Sequence, residues 1–303
     1  MDLILDSEIL DTLNTEGWIL LEDFFDDAEL AQVIAAASGN YPSEEEYYSD
    51  PDQYSWISND PFGGLVQFPF SSISLNNLPT HPKVVSLAEQ CLGTREIRLF
   101  RAGLQAKFAG AADYEQPLHY DYPNHTLVVP DRGRDPGGIS LFLYLSDVTS
   151  DLGPTYFVPK SKAPPVNPSV THFLRDPDAT HSRKDYANAP ELYEVEVPAA
   201  GPAGSLLVYH SDTLHRGSAM TAKAGIRLTM GFAYGGANPW EGFQSWPGLG
   251  EDLDMVDFVV QASPRQRELV GFPGVGDPYW TPETIAAVEA RYVGIDLTAY
   301  GIS

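Results

Sequence analysis

Residues 227–234 read Arg-Leu-Thr-Met-Gly-Phe-Ala-Tyr, and this alternation constrains the fold more than any other stretch of the chain. Leu228, Met230, Phe232 and Tyr234 fall on one face by the two-residue period of a strand, while Arg227, Thr229, Gly231 and Ala233 fall on the other. A solvent face normally carries several polar side chains. One Arg among small residues instead predicts a face turned into a cavity, with the bulky face packed on another layer. Residues 139–146 repeat the pattern, with Ile139, Leu141, Leu143 and Leu145 opposite Ser140, Phe142, Tyr144 and Ser146. Gly204 to His210 is a short, nearly continuous apolar run, as expected of a strand buried on both sides.

Three side chains near these strands form a metal-ligand pattern. His119-Tyr120-Asp121 is followed 96 residues later by His215, far enough for several strands to bring the second imidazole back. Two imidazoles and one carboxylate are the ligands a non-haem Fe(II) site needs, and they leave one face of the octahedron for a co-substrate and O2. Arg227 could hold the far carboxylate of 2-oxoglutarate as a two-pronged ion pair. His-x-Asp alone is a weak signal, since 7 His and 42 acidic residues in 303 positions give about one match by accident. His210-Ser211-Asp212 also fits, but its only later histidine, His215, is too close to be a remote third ligand. That pair reads as part of a loop at a strand end. His81, His125, His172 and His181 show no ligand spacing, and His125 reads as a solvated loop histidine.

Several segments together resemble the phytanoyl-CoA dioxygenase superfamily of Fe(II)/2-oxoglutarate oxygenases. They are Glu16 to Phe25 with Glu29-Leu30, Gln116-Pro117-Leu118-His119-Tyr120-Asp121, Asp147-Val148-Thr149, Gly153-Pro154-Thr155 through Val158-Pro159, and Gly204-Ser205-Leu206-Leu207 leading to His215. The resemblance covers most of the chain. It implies an α+β, mainly β fold: a double-stranded β-helix (jelly-roll) core with flanking helices and the metal inside its mouth. It implies that His119, Asp121 and His215 bind Fe(II), and that 2-oxoglutarate and O2 are co-substrates. Arg227 and Ser218 would hold the C5 carboxylate of 2-oxoglutarate, with Gln116 and Thr155 as further contacts. Lys107 is either another such contact, a substrate contact, or an exposed strand lysine. The implied reaction couples decarboxylation of 2-oxoglutarate, giving succinate and CO2, to oxidation of an unactivated C–H bond. Related halogenases carry a small residue where Asp121 stands, so oxygenation is expected here.

Two departures from the family pattern stand out. Pro159-Lys160-Ser161-Lys162 replaces the usual Pro-Gly-Ser-His. Arg216 intervenes between His215 and Gly217-Ser218, and Arg227 comes one position late. A single extra residue explains both offsets, and a β-bulge is expected to absorb it. Otherwise Ser218 and Arg227 would face the wrong way.

Composition narrows the functional classes. Residues 1–60 contain 16 Asp or Glu and no Lys or Arg, in a chain of net charge −24. Such acidity disfavours nucleic acid and anionic membrane as partners and reads chiefly as a solubilising layer. Glu44-Glu45-Glu46, its densest run, is expected in a loop near the pocket mouth. The same acidity makes a neutral or cationic small-molecule substrate more attractive than an acyl-CoA, although Lys160, Lys162, Arg175, Arg183 and Lys184 could form a local basic patch. Cys91 alone allows no internal disulfide, and with no basic leader or long apolar run the expected location is the cytoplasm.

The expected organisation is one oxygenase domain over 1–303. Residues 1–94 are mostly helical around one early strand, 95–235 form the jelly roll, and 236–303 return to helix and loop. Asp26 with Glu29, Thr80 or His81 before Pro82, Ser263-Pro264 and Thr281-Pro282 are helix starts. Pro164–Pro190 is expected to cover one edge of the site, and Trp240, Phe243 and Trp246 to anchor a loop or wall the pocket. Oligomeric state is not encoded legibly. The competing reading is a non-catalytic binding protein on the same fold.

Overall fold

The computed structural model describes residues 5–58, 63–111, 115–121, 138–163, 190–236 and 253–301. Among the described residues, nine strands form two antiparallel sheets. They are β1 (Trp18–Leu21), β2 (Val66–Gln67), β3 (Ile97–Phe108), β4 (Gly138–Tyr144), β5 (Thr155–Phe157), β6 (Val197–Pro198), β7 (Leu206–His210), β8 (His215–Gly217) and β9 (Ile226–Gly236). The large sheet runs β1-β7-β4-β9-β3-β2 and the small one β6-β5-β8. This is the double-stranded β-helix core that the family resemblance implies.

The two faces of the large sheet do different work, as alternation predicts. Leu228, Met230, Phe232 and Tyr234 of β9 join Ile139, Leu141 and Leu143 of β4, and Leu206 and Val208 of β7, in one buried core with the helices. The other face turns to the small sheet. There Tyr144, Leu207 and Tyr209 pack with Phe157, Val148 and Ala199, flanked by Trp18, Leu20 and Phe142. Every residue of β7 is buried, because β1 and β4 flank it and both its faces are covered.

Helices form where the caps say they should. Asp26 and Glu29 make a capping box for Asp27–Ser38, as Ser263 and Gln266 do for Pro264–Leu269 and Thr281 and Thr284 for Pro282–Arg291. His81 caps Pro82–Leu92, its ring Nδ1 accepting from Lys83 N, and Gly93 ends that helix at φ 64°. The expected loop at Glu44–Glu46 is a correction: these residues open the helix Glu44–Ser49. Ser43 and Glu46 form a capping box there, and three acids at a helix N-terminus complement its dipole. Among the described residues, no helix is long and apolar enough to cross a membrane.

Met230 is fully buried in the helix-packed core. Met230→Ala is therefore expected to cost about 2–5 kcal/mol in urea unfolding, by lost burial and a residual cavity. Burial also pushes the Cys91 thiol up to about 12. The folded protein should react only slowly with a thiol-specific disulfide reagent near pH 8, and rapidly once denatured, because only the thiolate attacks.

Candidate metal centre

The site is built on β8 and the strip 115–121 beside it. His119 N donates to His215 O at 2.9 Å and His215 N to His119 O at 3.0 Å, an antiparallel bridge that sets the two residues opposite each other. Gln116 N donates to Gly217 O at 3.0 Å, and Gly217 N returns a bond to Gln116 Oε1 at 2.8 Å. A Cβ on Gly217 would lie 2.9 Å from that same oxygen, so a larger residue there would displace the Gln116 side chain from this bond. Opposed residues share a face, and the two rings stand 4.6 Å apart between centroids. Asp121 follows two residues after His119 and returns to that face.

Both rings are held for coordination. His119 Nδ1 lies 2.8 Å from Pro117 O, and His215 Nδ1 lies 2.9 Å from Thr213 O. A carbonyl accepts only, so each Nδ1 carries the proton and each Nε2 presents its lone pair. Those Nε2 atoms lie 3.8 and 3.6 Å from the Asp121 carboxylate oxygens, and one ligand atom from each of the three residues lies within 4.8 Å of the others. Ligands at right angles around an ion with bonds near 2.1 Å sit about 3 Å apart, so a small contraction closes the set on a divalent cation. Both histidines are buried and Asp121 nearly so. The donor set fits iron.

Two supporting residues escaped the sequence reading. The Tyr209 hydroxyl donates to Asp121 Oδ2 at 2.9 Å, and its ring packs 4.8 Å from His215 and 5.2 Å from Phe157. Burial, then the Asp121 charge, push this phenol well above its ordinary value, so it remains a donor throughout the working pH range. A polar tip in the otherwise apolar run 204–210 was the one available signal, since a buried tyrosine hydroxyl seeks a partner.

The other is Arg216, the extra residue. It lies back to back with His215 and is bonded to Glu196 at 2.8 and 2.5 Å and to Glu115. Its guanidinium lies over the rings of Tyr156 and Tyr193, and the Tyr193 hydroxyl accepts from Leu118 N at 3.2 Å. The residue outside the family pattern thus ties the metal-ligand strip to β8.

The expected β-bulge is absent: His215, Arg216 and Gly217 pair regularly with Phe157, Tyr156 and Thr155. The extra residue is taken up in the turn before β9, and Arg227 keeps the face of Thr229, Gly231 and Ala233. Ser218 does not keep a free donor, because its hydroxyl proton goes to Pro154 O at 2.7 Å. Thr155 is half-buried opposite Gly217. Lys107 stands directly across from Arg227 in the β3–β9 ladder. Like charges so placed repel unless an anion lies between them. Asp212 pairs with Lys160 at 2.5 Å beyond the end of β7, the loop role expected of it. His125, Trp240, Phe243, Trp246 and residues 164–189 lie outside the described residues.

The phytanoyl-CoA dioxygenase (PhyH) family profile matches residues 13–228, a span that takes in His119, Asp121, Tyr209, His215, Arg216 and Arg227. The chain belongs to the phytanoyl-CoA dioxygenase family. Membership makes it an Fe(II)- and 2-oxoglutarate-dependent oxygenase. Among solved structures, the fold is similar to the epimerase SnoN in complex with Fe3+, alpha ketoglutarate and nogalamycin RO (TM-score 0.54, 21% identity, covering 77% of this chain and 85% of that one). It is also similar to EctD from S. alaskensis (TM-score 0.56, 18% identity, covering 80% and 82%). HygX from Streptomyces hygroscopicus, with nickel and 2-oxoglutarate bound, matches at TM-score 0.54 and 18% identity, covering 78% and 89%. No curated protein matches the chain.

Removing the hydroxyl in Tyr209→Phe should leave the fold intact and weaken divalent-metal binding by roughly 10-fold or more, measured by calorimetry with Co(II). An unchanged affinity would show that Tyr209 does not orient Asp121.

Proposed function

We propose that His119, Asp121 and His215 hold Fe(II) on one face, and that Arg227 with Lys107 receives the C5 carboxylate of 2-oxoglutarate. The carrying observation is the convergence of two Nε2 lone pairs and a carboxylate, with both Nδ1 atoms already bonded to carbonyls. Bound iron supplies the centre at which O2 and 2-oxoglutarate react and at which decarboxylation is coupled to oxidation of a C–H bond. The chain's own residues set the outcome around it. Tyr209 and the two carbonyls orient the ligands, and Gln116 locks the strip against β8. Arg227 and Lys107 balance the charge of a dicarboxylate within the sheet interior.

Ser218 is left out of this assignment because its proton is committed to Pro154 O. The reaction proposed is hydroxylation, or a related oxidation, of a small-molecule metabolite. Asp121 occupies the position a halide would need, so oxygenated and not chlorinated product is expected. Lys160 is committed to Asp212, which weakens the case for a phosphate-binding patch suited to acyl-CoA.

With Fe(II), ascorbate and 2-oxoglutarate, the protein should form succinate, measured by chromatography. His215→Ala should abolish this. Arg227→Ala should raise the 2-oxoglutarate KM by roughly 10-fold or more, the size expected for a lost charge-assisted pair. Tight metal binding with no succinate formed across a broad substrate panel would favour a non-catalytic binding protein.

A further inference from the structure

A cation that neither iron nor 2-oxoglutarate accounts for stands at the metal end of the large sheet. Register links Trp18 to Tyr209, Tyr209 to Ser140, Ser140 to Ala233 and Ala233 to Arg101. These five residues form one row across β1, β7, β4, β9 and β3. Tyr209 brings this row to the metal ligands, since its hydroxyl bonds Asp121 at 2.9 Å, and both Trp18 and Tyr209 pack on Phe157 of the small sheet. Arg227 and Lys107 lie six residues further along β9 and β3, roughly 20 Å down the strands. The 2-oxoglutarate cations and Arg101 therefore occupy opposite ends of the same face.

The sheet goes out of its way to aim Arg101 there. Between Leu99 and Arg101 the β3–β9 register shifts, so that Leu99 opposes Tyr234, Arg101 opposes Ala233, and Phe100 is extra. In an unbulged strand Arg101 would turn with Leu99 and Tyr234 into the helix-packed core. The bulge re-aims it towards the ligands, a use to which bulges beside active sites are often put. Only Ala233 and Ser140 stand in the row between Arg101 and Tyr209, whose Cα atoms are three strand spacings, roughly 14 Å, apart. Among the described residues of this row, only two small side chains separate the two long ones.

Arg101 is exposed and makes no ion pair with any described residue, whereas Arg216, Arg265 and Lys160 each hold an acid. Its charge is nevertheless felt at the Tyr209 hydroxyl.

We propose that Arg101 recognises an oxyanion, a carboxylate or phosphate, on the primary substrate and holds it on the side of His119, Asp121 and His215 away from Arg227. The proposal rests on the iron and 2-oxoglutarate assignment above, and it gives that site a substrate class. A planar guanidinium offers two parallel donors to either oxyanion. It also reverses the substrate charge expected from the acidic N-terminal residues. Those acids lie in residues 1–60, whereas the charge in the row that Tyr209 shares is positive.

The test uses the full chain loaded with Co(II) and 2-oxoglutarate under nitrogen. Proton NMR follows paramagnetic broadening of the methyl signals of acetate, methylphosphonate, tert-butanol and tetramethylammonium. In the wild type, acetate or methylphosphonate should be broadened well beyond tert-butanol, and the stronger of the two identifies the anionic group. Arg101→Gln should weaken that binding roughly 10-fold, Arg101→Lys should retain part of it, and Arg101→Glu should transfer the preference to tetramethylammonium. Equal broadening of anions in wild type and Arg101→Gln, or no preference over tert-butanol in the wild type, overturns the proposal. The two readings separate in the same samples. Loss of 2-oxoglutarate affinity belongs to Arg227→Ala, and failure of Co(II) or 2-oxoglutarate to bind the wild type overturns the site assignment itself.

Discussion

The backbone bridge between His119 and His215 is the contact on which the rest of the centre depends. It joins residues 96 positions apart through two hydrogen bonds of 2.9 and 3.0 Å, and in doing so makes two imidazoles neighbours on one face. Asp121 then arrives by strand periodicity alone. Gln116 and Gly217 extend the pairing by two further bonds, and the absence of a Cβ on Gly217 leaves space for the Gln116 side chain to make one of them. A ligand set assembled by backbone pairing has little freedom left to lose when a cation binds, which favours affinity.

The reverse side of that bridge is as organised as the front. Arg216 cannot share the face of His119 and Asp121, because its neighbour His215 does. It is instead buried against Glu196, Glu115, Tyr156 and Tyr193, and its hydrogen bond to Glu196 holds the guanidinium above its usual pKa. A buried cation is costly unless paired and stacked, and here it is both. An inserted residue that threatened to reverse the facing of Arg227 has become a brace between the ligand strip and β8. The turn before β9 absorbs the offset because a turn, unlike a ladder, carries no facing rule.

Charge is divided between outside and inside. The acids of the first 60 residues lie mostly on exposed positions, where water and salt screen them. Lys107 and Arg227, by contrast, are half-buried and opposed on a single sheet face, and Arg101 shares that face at its other end. In surroundings of lower dielectric Lys107 and Arg227 weigh more on an incoming ligand than acids screened at the surface. Net charge therefore describes solubility here, while the sign of the site is set locally.

Much of this was legible in the chain itself. The two-residue period assigned the faces of β4 and β9 correctly. The capping boxes at Asp26, Ser263 and Thr281 marked helix starts, the ligand types with their long spacing singled out the candidate metal centre, and the segments around them carried the family resemblance. Each of these is a local property, written in residues a few positions apart or in side-chain chemistry. Tertiary structure alone decided that Tyr209 meets Asp121, that Ser218 gives its proton to Pro154, that Arg216 braces the ligand strip, and that Arg101 shares a row with Tyr209. Those outcomes depend on register between strands distant in sequence, where a shift of one residue reverses every facing, and no short-range pattern carries that information.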